Sequence, residues 1–259
     1  MTVLLLLALG AGWTPAAHGQ SIVVGSGSSW AAGNATHEIG CHDFTNNGTA
    51  DLGTATFNAV ANFTNTSIMS ASAASIDVGG NWANSGTVDA GSSMISLTDD
   101  CGAMHATISG TTTFPTLAIN SSVGKVVEFA AGATQTVTDA LILGGQSGAL
   151  LVVRSTQDGQ QAFIDLESGA TQSIAHVDVA DHAATGQVIA PGPAEDFDSI
   201  DAGNNTRWFV SLGPAPAPTL SVGAMLLVLA LLIAVAHGRL RARDGARPGA
   251  PRLNPEERG

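Results

Sequence analysis

The stretch His176-Val177-Asp178-Val179-Ala180-Asp181-His182 sets imidazoles beside carboxylates at a spacing that permits acid–base chemistry. On a strand, successive side chains point to opposite faces, so His176 and Asp178 would share one face while Val177 and Val179 turn to the core. Such a pair, with Asp181 nearby, can bind a metal or move protons during cleavage of a polysaccharide. That chemistry also needs clustered carboxylates or a cation to stabilise developing charge, and the central part of the chain holds only Lys125, Arg154 and Arg207. The same residues serve equally as the polar outer face of a strand. The expectation is therefore a non-enzymatic chain, with His176, Asp178 and Asp181 as its alternative catalytic residues.

A second constellation is AEDFDSIDAGNN, where Asp196, Asp198 and Asp201 stand with Glu195 and Asn204. Hard cations take several carboxylate and carbonyl oxygens from one loop, so calcium is the one cofactor to consider. The spacing departs from the EF-hand loop, and a solvated acidic turn accounts for it without metal. Cys41 and Cys101 are the only cysteines. In an exported chain such a pair most simply forms a disulfide, closing a loop of about 60 residues and contributing about 4 kcal/mol in the chain-entropy description. Two alternatives stand beside it: free thiols, or zinc held by Cys41-His42 with Cys101 and His105, where adjacent ligands on one ion are sterically awkward. His37-Glu38-Ile39-Gly40-Cys41 imitates the opening of a zinc-protease HExxH helix, but places Cys where the second His must be and Gly where a helix is required.

These residues sit in a chain whose charge is unevenly spread. The residues before the C-terminal apolar run carry three basic against eighteen acidic side chains, a balance of −15, while the residues after it carry six against three. An acidic body repels nucleic acid phosphate and anionic lipid, and suits cations or neutral glycans. The sequons at Asn34, Asn47, Asn62, Asn65, Asn120 and Asn204 are expected in any chain so rich in Asn and Thr.

Both ends look specialised. MTVLLLLALGAGWTPAAHGQ has an apolar run from Val3 to Leu9, a Gly/Pro break, and small residues before Gln20. This is the layout of a secretory signal peptide over 1–19, although no Lys or Arg precedes the run. Thr219 to Ala236 is uncharged, and a helix of that length is roughly 27 Å long, close to a hydrocarbon core of about 30 Å. Pro214, Pro216 and Pro218 stop it upstream, and Arg239, Arg241 and Arg243 follow it. One transmembrane helix is predicted over 219–237, with a Pro/Ala linker at 211–218 and a basic cytoplasmic tail at 238–259, so the acidic body would lie outside the inner membrane.

The middle is organised by period. Apolar clusters of three to six residues, among them Ile76 and Val78, Ile95 and Leu97, Leu117 and Ile119, Leu150 to Val153, and Val177 and Val179, alternate with Gly, Asn, Asp and Ser. This predicts an all-β body over 76–210, built as a parallel β-solenoid, with a β-sandwich as the alternative. GGNWANSGTVDAGSSMISLT and VVEFAAGATQTVTDALILGG both run strand, glycine-rich corner, strand, which favours the solenoid. Repeats are weak at the level of sequence. Residues 20–75 alternate poorly and are assigned to an N-terminal cap or irregular β region.

Two resemblances follow. Pro218-Thr219-Leu220-Ser221, an apolar helix and an Arg-rich end resemble the IPTL-CTERM sorting signal of Gram-negative surface proteins, relatives of the PEP-CTERM tags. Ala217 stands where that family usually has Ile, and Val222-Gly223 replaces its usual Glu-Trp-Gly. The resemblance implies a partner in an exosortase-like sorting enzyme and removal of the helix near the Pro-Thr-Leu step, with a permanent anchor as the alternative. GNWANSGTVDAGSS, TFPTLAINSSVGKVV and IAHVDVADHAATG resemble haemagglutinin-like and right-handed β-helix regions of secreted bacterial surface proteins. That implies an adhesive, structural or matrix role at the cell surface, with envelope or matrix glycans as partners; the rival is a β-helix enzyme acting on extracellular polysaccharide.

Overall fold

The computed structural model describes residues 19–210. The signal peptide (except Gly19), the Pro/Ala linker, the sorting motif Pro218 to Ser221, the membrane helix and the basic tail with Arg239, Arg241 and Arg243 lie outside the described residues. Among those described, no helix is long and apolar enough to cross a membrane.

Short alternating segments separated by glycine-rich corners cannot bury their inner faces alone, and here they do so by winding into a parallel β-solenoid of about eight turns. Coil 1 holds β1 (Ile22–Val24) and β2 (Ser29–Ala31); coil 2, β3 (Thr36–Asn46) and β4 (Thr49–Asp51); coil 3, β5 (Thr56–Asn65) and β6 (Ile68–Ser70). Coil 4 holds β7 (Ser75–Val78), β8 (Trp82–Asn84) and β9 (Thr87–Asp89). Coil 5, with β10 (Met94–Leu97) and β11 (His105–Gly110), runs into β12 (Thr112–Asn120), whose second half belongs to coil 6 with β13 (Val126–Phe129). β14 (Thr134–Gly144) leads into coil 7 with β15 (Leu151–Ser155) and β16 (Ala162–Leu166). Coil 8 holds β17 (Thr171–Ala175), β18 (Val177–Ala180) and β19 (His182–Ala184), and β20 (Ile200–Gly203) opens the segment that closes the end.

Every ladder between these strands is parallel, from β1 on β3 to β18 on β20. This removes the β-sandwich alternative, whose sheets are antiparallel; the antiparallel pairing among the described residues is an isolated bridge, Gln146 to Ala149. The structure also corrects the N-terminal boundary. Residues 20–75 form no separate cap: β1, β3 and β5 continue the same ladder as the later strands, so the coils begin at Ile22.

Coils 2 to 4 repeat closely. Phe44, Phe63 and Trp82 occupy one inward position, with centroids 4.6 Å and 4.3 Å apart and ring planes within 4° and 8°. Two residues on, Asn46, Asn65 and Asn84 form a buried amide ladder: Asn46 Nδ2 donates to Asn65 Oδ1 at 2.7 Å, and Asn65 Nδ2 to Asn84 Oδ1 at 2.9 Å. The ladder ends on Thr112, whose hydroxyl accepts from both Asn84 Nδ2 and Trp82 Nε1. It stops because the repeat changes: Ser75 pairs with Met94 nineteen residues on, but Met94 pairs with Thr116 and Thr116 with Ala140. Coils packed this tightly leave no space at certain corners. A Cβ on Gly53, whose φ is +54°, would stand 2.3 Å from the Gly33 carbonyl oxygen.

Substituting the middle rung tests the ladder. Asn65→Ala leaves Asn46 Nδ2 with Ile68 O alone and Asn84 Oδ1 with Gly86 N–H alone in the dry interior, at an expected cost of about 2 kcal/mol, whereas Thr64→Ala on the outer face should change stability by less than about 0.5 kcal/mol. Denaturant unfolding of both variants measures the difference.

Candidate functional site

Two places gather the ionisable side chains: the flank formed by β11, β13, β15 and β18, and the corner that precedes it in coils 2 to 6.

On the flank, Thr107, Glu128 and Arg154 follow one another in register, and Asp178 pairs with Val152, two residues before Arg154 on the same outer face. His105 Nε2 reaches Glu128 Oε2 at 3.2 Å, and Arg154 Nη2 donates to Asp178 Oδ1 at 2.8 Å. Arg154 Nη1 also donates to the Asp178 and Val153 carbonyl oxygens. Two side-chain pairs therefore join neighbouring coils along the flank, His105 with Glu128 and Arg154 with Asp178. Such partly exposed pairs contribute about 1 kcal/mol or less apiece, so their effect is to hold register more than to stabilise the fold.

The catalytic alternative predicted from a continuous strand meets a different geometry. His176 is the corner between β17 and β18, with φ +54°, so the alternation that would put it on the face of Asp178 is broken between them. Its backbone N–H donates to Phe197 O, and its carbonyl accepts from Leu151 N–H. Asp178 is engaged by Arg154. Asp181 occupies the next corner, with φ +59°, and accepts from Asn204 Nδ2, a bond that holds its carboxyl below the usual range. His176 is thus held through its backbone, Asp178 by Arg154 and Asp181 by Asn204, and no hydrogen bond joins the three side chains.

In the acidic loop one carboxylate, that of Asp201, is engaged by the fold. Asp198 terminates a 3-10 turn (Ala194–Phe197) in the left-handed conformation, and Asp201 Oδ1 accepts from Gly203 N–H at 3.1 Å and Asn205 Nδ2 at 2.6 Å. Asp196 is exposed at the surface of the turn. Among the described residues no group of three His, Cys, Asp or Glu side chains is arranged to hold a metal ion.

Cys41 and Cys101 are joined as a disulfide, which removes both the free-thiol alternative and the zinc alternative through Cys41 and His42. The zinc-protease resemblance at His37 fails as well: Glu38 accepts from Asn58, His37 stacks on Phe57 at 4.9 Å, and the segment is a strand. The disulfide ties coil 2 to the turn Asp100–Gly102 of coil 5, and this turn must cross coils 3 and 4 to reach it. Gly79 makes room there, since a Cβ would lie 2.2 Å from the Asp100 carbonyl oxygen.

Sequence reasoning did not find the group that holds this turn from behind. Lys125, the only lysine of the chain, is fully buried and donates to Gly79 O at 2.5 Å, Thr98 O at 2.7 Å and Ala103 O at 2.6 Å. Three acceptors match the three hydrogens of an ammonium group. Burial lowers its pKa, against which the carboxylates of Asp99 and Asp100 pull upward. Asp99 in turn is raised by burial, but bonds from the Ser122 and Ser121 side and the nearby Lys125 outweigh this and leave it below the usual range. The legible signal was scarcity: one lysine in a chain with so many acids.

A shallow depression of about 350 Å³ lies where β9 meets β12 and β14, lined by Val88, Asp89, Thr113, Pro115 and Thr138. Its single carboxylate has no acidic partner in the lining. No family of known proteins, no curated protein and no solved structure matches the chain.

Because Lys125 is the only lysine, its accessibility reads directly in the intact mass. An amine-reactive ester should add a single label, at the α-amino terminus, to the native protein and a second, on Lys125, after reduction and denaturation. Lys125→Met, which abandons three carbonyl groups, should cost about 3 kcal/mol by denaturant unfolding.

Proposed function

We propose that this chain is an exported cell-envelope protein whose solenoid has a structural, adhesive or matrix role, delivered and then held or sorted through its C-terminal segment. The observation that carries this reading is how the polar groups are used. Arg154 is spent on Asp178, Asp181 on Asn204, Lys125 on three carbonyls, and the amides of Asn46, Asn65 and Asn84 on one another. Side chains committed to joining coils make a rigid, extended object, which suits display or assembly better than turnover. A disulfide also agrees with a compartment outside the cytoplasm.

The sorting part rests on Pro218-Thr219-Leu220-Ser221, the apolar run and the arginines after it, which together fit recognition by an exosortase-like membrane enzyme at the inner membrane. The acidic, hydroxyl-rich surface fits neutral glycans of the envelope or matrix as partners and disfavours nucleic acid.

Two measurements test the reading. The intact mass of the chain isolated from cell envelopes should show loss of the first 19 residues and an oxidised cysteine pair; a full-length chain recovered from the cytosol with both ends intact overturns export. Asp178→Ala combined with Asp181→Ala should lower stability by about 1 kcal/mol, and neither this variant nor the parent should turn over a panel of extracellular polysaccharides. Turnover by the parent that disappears in the folded variant would replace the structural role with the polysaccharide-cleaving one.

A further inference from the structure

The last coil encloses an ionisable group in surroundings with no polar provision for it. His182, the first residue of β19, is fully buried, and neither Nδ1 nor Nε2 has a hydrogen-bond partner. Its ring lies edge-on to Phe129, with centroids 5.0 Å apart, and to Trp208 at 5.9 Å. Trp208 Nε1 is likewise buried without a partner. An imidazole packed among aromatic rings is tolerable only while neutral, because a buried charge without compensating bonds is expelled or neutralised.

The groups around it give an imidazolium little help. Asp181, adjacent in the chain, would attract it but is exposed and already bonded to Asn204. Arg154 on β15 acts in both directions, since its backbone carbonyl would favour the charged ring while its guanidinium would repel it, and burial outweighs both. The other packed elements present apolar side chains: Phe129 from β13, Ala162 from β16, in register with His182, and Trp208 from the closing segment. Glu128 and Asp165 on those strands belong to the outer side of the coils, Glu128 meeting His105.

The segment lying over His182 is held by hydrogen bonds and has no covalent tie. Residues 204–209 attach through Thr206 N–H to His182 O, Ala184 N–H to Thr206 O, His182 N–H to Asn205 Oδ1, and the pairs Ile189 with Arg207 and Phe209 with Ile189. Side chains add Gln161 to Asn204 O and Thr206 Oγ1, Asn204 to Asp181, Asn205 to Val179 O and Arg207 to Gly186 O. Its one fully buried aromatic anchor is Trp208. By contrast, coils 2 to 6 are joined by the disulfide, Lys125 and the amide ladder.

We propose that His182 is an acid-operated latch: uptake of a proton by its buried imidazole releases Trp208 and the closing segment while the preceding coils stay wound. Burial holds the His182 pKa down at about 4, against 6.5 in an unfolded chain. The released form therefore binds the proton more tightly than the closed one. Closure is unaffected by pH above 6.5, weakens as pH falls below it, and reaches its lowest level near pH 4.

Hydrogen exchange of the full-length protein, corrected for intrinsic rates, tests the latch between pH 7 and pH 4. Amides within 181–209 should lose protection about tenfold for each pH unit below 6.5, while those of 44–84 stay unchanged. His182→Phe keeps an aromatic ring that cannot be protonated and should abolish the pH dependence. Equal protection of 181–209 at both ends of the range overturns the proposal, as does an unaltered pH dependence in His182→Phe. Should that variant fail to fold, the imidazole resonance of His182 in the parent decides: titration near pH 6.5 in the folded state overturns the latch, and a midpoint well below it supports the latch.

Discussion

No coil of this solenoid can satisfy its own interior; in-register contact with the next coil is the constraint on which everything else depends. Asn65 shows it most plainly. Its amide oxygen accepts from Asn46 of coil 2 and its amide nitrogen donates to Asn84 and Thr87 O of coil 4 as well as to Ser67 O, so most of its partners come from the coils before and after. The aromatic column beside it works in the same way, each ring covered by the ring above and below. Stability of this sort is a sum over neighbouring interfaces, and the two ends are the places where a neighbour is missing. Both are closed by tryptophan: Trp30 lies against Phe44, Phe57 and His37 at the start, and Trp208 covers His182 at the finish.

Where the repeat changes, something other than the ladder must keep the coils together. From coil 5 onward the turns lengthen and the amide column has no successor beyond Thr112 and Gln135, which accepts from Thr112 N–H and donates to Gly110 O. In coil 5 the extra residues emerge at one corner, as the turn at 98–104. The disulfide pulls this turn across two coils to Cys41, and Lys125 fixes its carbonyls from the inside. The one lysine thus stands at the junction between the regular and irregular halves, where Asp77, Asp99 and Asp100 crowd together. Burial and the nearby Asp100 push the Asp77 carboxyl upward, which shows how little further negative charge that corner would accept without a cation beneath it.

The strands themselves were readable from the sequence, because alternation of apolar and polar residues marks them wherever the inward positions are Val, Ile or Leu, as in β13 and β15. The first coils were harder to read because their interiors are not purely apolar. In β3 the inward positions include Asn46, and in β5 Asn65, so a search for hydrophobic period undervalues the segment and suggests a cap. The nineteen-residue repeat was present in Phe44-Thr45-Asn46, Phe63-Thr64-Asn65 and Trp82-Ala83-Asn84, but it spans only these coils and drifts in two of its three positions before the lengthening hides it. His176 was misplaced for another reason: a residue in the left-handed region inside an otherwise strand-like run reverses the facing of everything after it, and nothing in its side chain announces that conformation. His182 was read as part of a polar surface because its neighbours Asp178 and Asp181 are polar. The same corner at Asp181 turns it inward.

The surface that results is defined by what its cations do. Lys125 is enclosed, Arg154 lies along the flank against Asp178, and Arg207 donates to the Gly186 carbonyl oxygen. All three basic side chains of the described residues are thus engaged within the fold, whereas most of the carboxylates face solvent along the length of the coils. Such a surface cannot neutralise a polyanion by direct contact, so acidic polymers would be held only through bridging metal ions. Uncharged polymers rich in hydroxyl groups meet no such barrier, since carboxylates and threonine hydroxyls accept and donate hydrogen bonds to them without needing a counter-charge. Spacing the acids along a stiff rod also limits their mutual repulsion to the reach of a Debye length of about 8 Å at physiological ionic strength, roughly two coils. A solenoid can therefore carry this charge without a matching complement of lysines, and repulsion between separate rods favours keeping them dispersed unless a cation or a neutral matrix draws them together.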